Sequence, residues 1–360
     1  MTDWIDRTPP LLEVVSHAPA TFGIDTEFMR VNTFFPRLAL IQLAFAERVA
    51  LIDPLATIEL DALGTVLADP ARTVVMHSAS EDLEALATRF PQGIAGLFDT
   101  QIAAAFAGLG AGLGYQKLVR EILTIELPKA ETRSDWLRRP LTQQQIEYAA
   151  HDVIHLPALQ AALAERIASR GYTAWLAEDC ARLLDRARQR EPDAQPQTAL
   201  RGASDWPPER QALLRRVLLW RDVTARRTDT PRPWILDDAA ALDLSARPPR
   251  DATELAERTK GLRGLRSGHR VELAEILRRP LADDELAFEP IPHAPSLREK
   301  PALAALKDAV ATRARELDLP EGLLCSRRHL ETLIVSRRWP PALDGWRRAV
   351  LHDALVALLP

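Results

Sequence analysis

The sequence predicts an α/β domain, a mixed sheet flanked by helices, followed by all-α regions. Three observations carry that prediction. Short apolar or alternating runs at Thr21–Phe28, Leu38–Phe45, Arg48–Ile52 and Thr73–Met76 have the character of strands. Helical patterns follow at Asp61–Leu67, Glu81–Thr88, Thr100–Ala107, Tyr115–Leu123 and Thr142–Arg170. Beyond the polar, proline-bearing stretch Glu191-Pro192-Asp193-Ala194-Gln195-Pro196-Gln197 no strand pattern persists, and short amphipathic helices take over.

The first three strands are close in sequence and predict an antiparallel meander. Val74–Met76 is reached through a helix and predicts a parallel neighbour. In the first strand Phe22 and Ile24 share one face. Asp25 and Glu27 share the other, with about 7 Å between them along the strand. After the fourth strand, Ser78 and Glu81 have capping-box spacing, which starts a helix and places Asp82 in its first turn. Thr142 and Gln145, following Pro140, form a second capping box. On the helix it opens, Tyr148 and Asp152 are four apart and lie on one face.

No one of these segments is decisive. Asp-x-Glu is common on solvated strand faces, first-turn Asp residues stabilise their own helices, and a Tyr over a surface Asp is ordinary. Their joint occurrence, on a strand, a helix start and a helix interior, is what points to chemistry. Carboxylate-only donors suit Mg²⁺ or Mn²⁺, and a pair of such ions is a standard device for cleaving phosphodiesters.

The combination resembles the DEDD exonuclease superfamily, in the subclass whose third motif is Tyr-x-x-x-Asp. Asp25 and Glu27 match the first motif, Asp82 the second, and Tyr148 with Asp152 the third. Over roughly residues 10–165 the chain is most similar to the ribonuclease D family, in Asp25-Thr26-Glu27-Phe28-Met29-Arg30, Leu40-Ile41-Gln42-Leu43, Phe98-Asp99-Thr100-Gln101, Ser134-Asp135-Trp136 and Arg139-Pro140-Leu141. It departs from the family where Pro128 precedes Lys129 and where Ile154-His155 follows the third motif. The resemblance implies a ribonuclease H-like fold, two divalent cations (Mg²⁺ or Mn²⁺) and a 3′→5′ exoribonuclease. The implied substrates are tRNA precursors and other structured RNA 3′ ends, with nucleoside 5′-monophosphates as products. Asp25, Glu27, Asp82 and Asp152 would hold metal, and Tyr148 would orient water. A DNA exonuclease on the same scaffold and a non-catalytic RNA-binding adaptor are the alternatives.

Residues 204–280 resemble an HRDC domain, in Leu219-Trp220-Arg221-Asp222, Pro231-Arg232-Pro233 and Leu236-Asp237-Asp238. Residues 299–360 resemble a more divergent copy, in Leu323-Leu324-Cys325-Ser326-Arg327-Arg328. The expected layout is a nuclease domain over 1–190, a linker over 191–203, the first helical domain over 204–280, a second linker over 281–298 and the last domain over 299–360.

Residues 201–280 contain 17 Lys+Arg and 12 Asp+Glu, a net +5 in a chain of net −4. A basic module beside an acidic nuclease is suited to tethering a polyanion. Trp220 and Trp234 read as core. Phe28, and with it Phe34, reads as a platform for a terminal base, a place in the core being the alternative for Phe34. His77 reads as an ordinary hydrogen-bonded histidine at a strand end, with a phosphate contact as its functional alternative. His151 and His155 read as surface residues. Gly108-Leu109-Gly110-Ala111-Gly112-Leu113-Gly114 lacks the Lys-Ser/Thr ending of a phosphate loop and reads as a flexible connection. No apolar run approaches the ~20 residues of a membrane span, and Met-Thr-Asp-Trp-Ile-Asp-Arg lacks the layout of a signal peptide. Two cysteines are too few for a disulfide scaffold. The expectation is a cytoplasmic monomer.

Overall fold

The computed structural model describes residues 2–45, 48–128, 134–189 and 191–359. Its sheet contains β1 (Thr2–Ile5), β2 (Thr21–Met29), β3 (Arg37–Phe45), β4 (Arg48–Ile52), β5 (Thr73–Met76) and β6 (Leu97–Asp99). The spatial order is β1-β4-β3-β2-β5-β6. β2, β3 and β4 form the antiparallel meander, and β5 joins β2 in parallel. Two parallel edge strands complete the sheet. β1 pairs with β4 and β6 with β5. They have four and three residues, too short to give a periodic signal.

Helices cover both faces. One carries α1 (Thr8–Ser16), α2 (Asp61–Leu67) and α3 (Ser80–Ala87), packed on Phe22, Ile24, Ile41 and Leu43. The other carries α4 (Thr100–Phe106), α5 (Tyr115–Leu123), α6 (Gln143–Ile154), α7 (Leu156–Ser169) and α8 (Thr173–Arg188), over Leu40, Leu51 and Val75. β3 is buried from Leu38 to Phe45, as a central strand covered on both sides must be.

Two local expectations need correction. The single helix expected over Thr142–Arg170 breaks at His155 into α6 and α7. Pro157 lies in the first turn of α7. It has no N–H to donate back, and its ring would collide with the carbonyl four residues before it. The Ser78/Glu81 capping box does not form. Ser78 is left-handed at φ 58°, α3 begins at Ser80, and its N-cap residue Ala79 offers no side-chain cap of its own.

The rest is helical. The first group comprises α9 (Pro208–Arg227), α10 (Arg232–Ile235), α11 (Asp238–Ala246), α12 (Ala252–Arg258) and α13 (Ser267–Arg278), with Leu214, Val217, Ile235, Leu244 and Leu273 at its centre. Trp220 is half-buried there and donates from Nε1 to Glu272 at 3.1 Å. Trp234 is 38% exposed, so it is not a core residue. The second group, α14 (Lys300–Leu317), α15 (Glu321–Leu324), α16 (Arg327–Ser336) and α17 (Trp346–Val356), shares one core with the α/β unit. Trp346 stacks on Trp175 with centroids 4.6 Å apart, and Arg347 pairs with the buried Asp179. Among the described residues no helix is long and apolar enough to cross a membrane.

Candidate active site

The site forms where β2 outruns its neighbour. β5 pairs with β2 only from Thr21 to Gly23, so residues 24–29 leave that edge free, and α3 begins beside it. Thr26 is buried and donates from Oγ1 to Oδ1 of Asp82 at 2.5 Å. This bond draws the first turn of α3 against β2 and brings Asp82 to Asp25 and Glu27.

Asp99 delivers α3 to that position. It is buried at the end of β6 and accepts the N–H of Ala79 at 2.8 Å and of Ser78 at 3.3 Å. The same carboxylate caps α4 through Gln101 N–H at 2.8 Å and Ile102 N–H at 3.1 Å. One side chain thus replaces the expected capping box and fixes two helix starts.

On the other face α6 must approach closely. A Cβ on Gly23 would stand 2.9 Å from Cβ of Leu156 and 3.2 Å from the Val153 carbonyl oxygen. Only glycine lets the α6–α7 junction lie on β2 and bring Asp152 within reach of Asp25. The Thr142/Gln145 capping box starts α6 as expected. Arg139 anchors the preceding segment. It forks onto Asp53 with two 2.7 Å bonds and reaches the Ala39 carbonyl at 2.6 Å. Trp136 packs against Tyr148, centroids 6.0 Å apart, and Tyr148 and Asp152 each shift the other's ionisation.

The electrostatics follow from this crowding. Burial raises Asp25 well above the usual carboxylate range, and the charges of Asp82, Asp152 and Glu27 raise it further. Glu27 is pushed up to about 8 by burial, then by Asp152 and Asp82. Burial lifts Asp82 to about 6 against the hydrogen bond from Thr26. Asp152 also rises to about 6, through burial opposed by Tyr148. Tyr148 itself is raised, by burial and then by the Asp152 charge. Carboxyl groups that oppose one another's ionisation are electrostatically suited to a cation. As the side chains stand, no three or more His, Cys, Asp or Glu among the described residues gather into a ready metal cage. Thr26 holds Asp82 by a hydrogen bond instead, and Tyr148 favours the charged form of Asp152. The donor set is all oxygen and fits Mg²⁺ or Mn²⁺.

The structure therefore brings Asp25, Glu27, Asp82, Tyr148 and Asp152 together. Phe28 follows a register shift after Glu27, is half-buried and packs on the α1–α3 side. His77 turns Nδ1 to the Thr100 hydroxyl at 2.9 Å and meets Tyr115 edge-on at 5.6 Å. Phe34 is not open for stacking. Its ring lies under the guanidinium groups of Arg226 and Arg232, at 5.0 and 4.6 Å. Lys129 lies outside the described residues.

Sequence reasoning missed Tyr115. Its hydroxyl donates to the His151 carbonyl at 3.1 Å. Burial and the charges of Asp152 and Asp25 raise its pKa, which places it at the cluster's edge. Its only sequence signal is its position at the first turn of α5, after Gly114. Gln42, opposite Asp25 across the β2–β3 ladder, is fully buried with neither amide atom bonded among the described residues.

Comparison with known proteins agrees with this geometry. A family described as 3′-5′ exonuclease matches residues 6–168 and the HRDC domain family matches residues 210–265. Ribonuclease D of Xanthomonas oryzae pv. oryzae is 45% identical over 364 residues, covering 100% of this chain and 99% of that protein. The chain belongs to the ribonuclease D family. Like the family, it is a 3′-5′ exoribonuclease. Ribonuclease D of Escherichia coli K12 is 32% identical over 98% of this chain and 96% of its own length. The crystal structure of Escherichia coli RNase D, an exoribonuclease involved in structured RNA processing, superimposes with a TM-score of 0.86 at 29% identity. That match covers 99% of this chain and 98% of the other, so the ribonuclease D likeness extends through both helical groups.

Proposed function

We propose that this chain trims the 3′ ends of structured RNAs, tRNA precursors among them, releasing nucleoside 5′-monophosphates. Asp25, Glu27, Asp82 and Asp152 would hold two divalent cations, Mg²⁺ or Mn²⁺. The observation that carries this reading is the convergence of α3 and α6 on the open edge of β2, where Asp82 and Asp152 oppose the ionisation of Asp25 and Glu27. Bound there, such ions supply Lewis-acid stabilisation of the phosphate and activation of water.

The chain's own residues do the rest. Tyr148 is protonated at neutral pH like any tyrosine, and burial and Asp152 raise it further, so it serves as a donor that orients water. Glu27 lies across the same cluster and accepts from that water. Thr26 aims Asp82, and Arg139 with Trp136 fixes the segment behind Tyr148. Phe28 and His77 are the proposed contacts to the terminal nucleotide. The proposed layout is a nuclease domain over 1–190 and helical domains over 204–280 and 299–360, joined by 191–203 and 281–298, the last domain packed into the nuclease core. The enzyme acts as a monomer in the cytoplasm.

Matched 3′-labelled and 5′-labelled oligomers of RNA and DNA, digested with Mg²⁺ and with Mn²⁺, test the proposal. A 5′-labelled RNA shortened progressively from its 3′ end supports it. Faster loss of DNA, release of label from the 5′ end, or no digestion of either polymer would refute it.

A further inference from the structure

The +5 charge of residues 201–280 is not spread over that unit as free charge. Most of its arginines are already matched. Arg216 pairs with Glu285, Arg221 with Asp238, Arg258 with Asp243, and Arg226 and Arg232 share Asp222. Such cations are poor ligands for a polyanion, because a phosphate must first displace a carboxylate.

Lys260, Arg263 and Arg266 differ. All three are exposed, and among the described residues none takes part in an ion pair. They recur every third residue through the turn between α12 and α13. Leu265 is buried and Leu262 packs on the same core, so the turn is pinned by its apolar residues and its cations are left outside. It is also rigid. Gly264 donates its N–H to the Trp234 carbonyl at 2.9 Å, and a Cβ there would strike the Trp234 backbone at 2.9 Å. Gly261 takes φ +94° to reverse the chain, in open space.

The segment that grips this turn also grips the nuclease. Asp229 accepts the N–H groups of Phe34 at 3.0 Å and Phe35 at 2.9 Å. Those residues lie on the loop that leaves β2, the strand of Asp25 and Glu27. The 229–234 segment therefore links the unpaired cations to the loop beside the acidic site.

We propose that the 260–266 turn is a docking surface for RNA phosphates upstream of the 3′ end, held by Lys260, Arg263 and Arg266. The proposal rests on the exoribonuclease reading above. Unpaired guanidinium and ammonium groups on a fixed turn suit phosphate oxygens. The affinity they add should depend on salt.

The test uses the full chain carrying Asp25→Asn, so that RNA stays intact, and a fluorescent tRNA-sized RNA titrated at two salt concentrations. The substitutions are Lys260→Gln, Arg263→Gln and Arg266→Gln together. The control is Arg247→Gln with Arg250→Gln, which removes exposed cations of the same unit that are ion-paired to Asp243 and Glu254. We expect the triple variant to raise Kd at least about tenfold and to flatten log Kd against log salt by roughly 2, at about 0.7 per lost single-strand contact. The control should change both little. Unchanged Kd and slope in the triple variant, with its circular dichroism intact, would overturn the proposal. An equal loss per charge in the control would overturn the assignment to this turn. Hydrolysis of a five-nucleotide RNA by the triple variant with Asp25 restored should match wild type. If the wild-type chain does not digest that RNA, the exoribonuclease reading fails independently of what the turn binds.

Discussion

Replacing Asp152 by Asn should make the metal-free protein more stable at pH 8 while abolishing its activity. Asp152 rises from 3.8 to about 6 on folding, through burial. The folded state binds its proton more tightly than the unfolded chain does, so stability falls as pH rises from about 4 to about 6 and stays low above that. At pH 8 the penalty is roughly 3 kcal/mol, from the ~1.4 kcal/mol that accompanies each pH unit. Asn removes it and relieves Asp25 and Glu27, both of which Asp152 opposes. Against this, the substitution loses the interaction with Tyr148 that favours the charged carboxylate, a loss of about 1 kcal/mol. A net gain of about 1–3 kcal/mol should raise Tm by several degrees. The assay is thermal unfolding in chelator at pH 8 and pH 5. The gap should shrink to about half at pH 5 and close toward pH 4. A variant less stable than wild type at pH 8, or an equal gap at both pH values, would refute the electrostatic reasoning.

Further outcomes follow from the same contacts. Tyr148→Phe should lower kcat by about 10²-fold with metal affinity nearly unchanged, measured by turnover and by Mn²⁺ titration. Asp99→Ala removes the acceptor of four backbone N–H groups at two helix starts. It should cost about 2–4 kcal/mol in chemical unfolding and lower activity by letting α3 drift. Arg347→Met leaves Asp179 buried without its ion pair, which should cost about 3–5 kcal/mol and destabilise the α/β unit together with the last helical group. For the same reason, ending the chain near residue 190 should expose Trp175 and the shared core and give an aggregating fragment, visible by light scattering.

Much of this site was legible in the sequence because its parts are local. Period two puts Asp25 and Glu27 on one strand face, and period 3.6 puts Tyr148 over Asp152. Thr142 and Gln145 mark the start of α6 within four residues. What was not legible depends on contacts between distant segments. Asp99 caps a turn 20 residues away in sequence, and Gly23 matters only because Leu156 lies on it. Tyr115 faces the carboxylates through the packing of α5, which no spacing in the chain reveals. The basic character of residues 201–280 was visible as a sum. Which of its cations are paired to carboxylates and which stand outside any ion pair needed the fold. The Phe34 ring looked available for stacking because its partners, Arg226 and Arg232, stand almost 200 residues later.

The central claim is that the four carboxylates on the β2 edge are the catalytic machinery. Its most direct test is the rate at which Asp25→Asn shortens a 5′-labelled RNA in excess Mg²⁺, beside wild type and with matched folding by circular dichroism. The account predicts a loss of several orders of magnitude while the RNA remains bound. Substantial 3′-end trimming by that variant would contradict it.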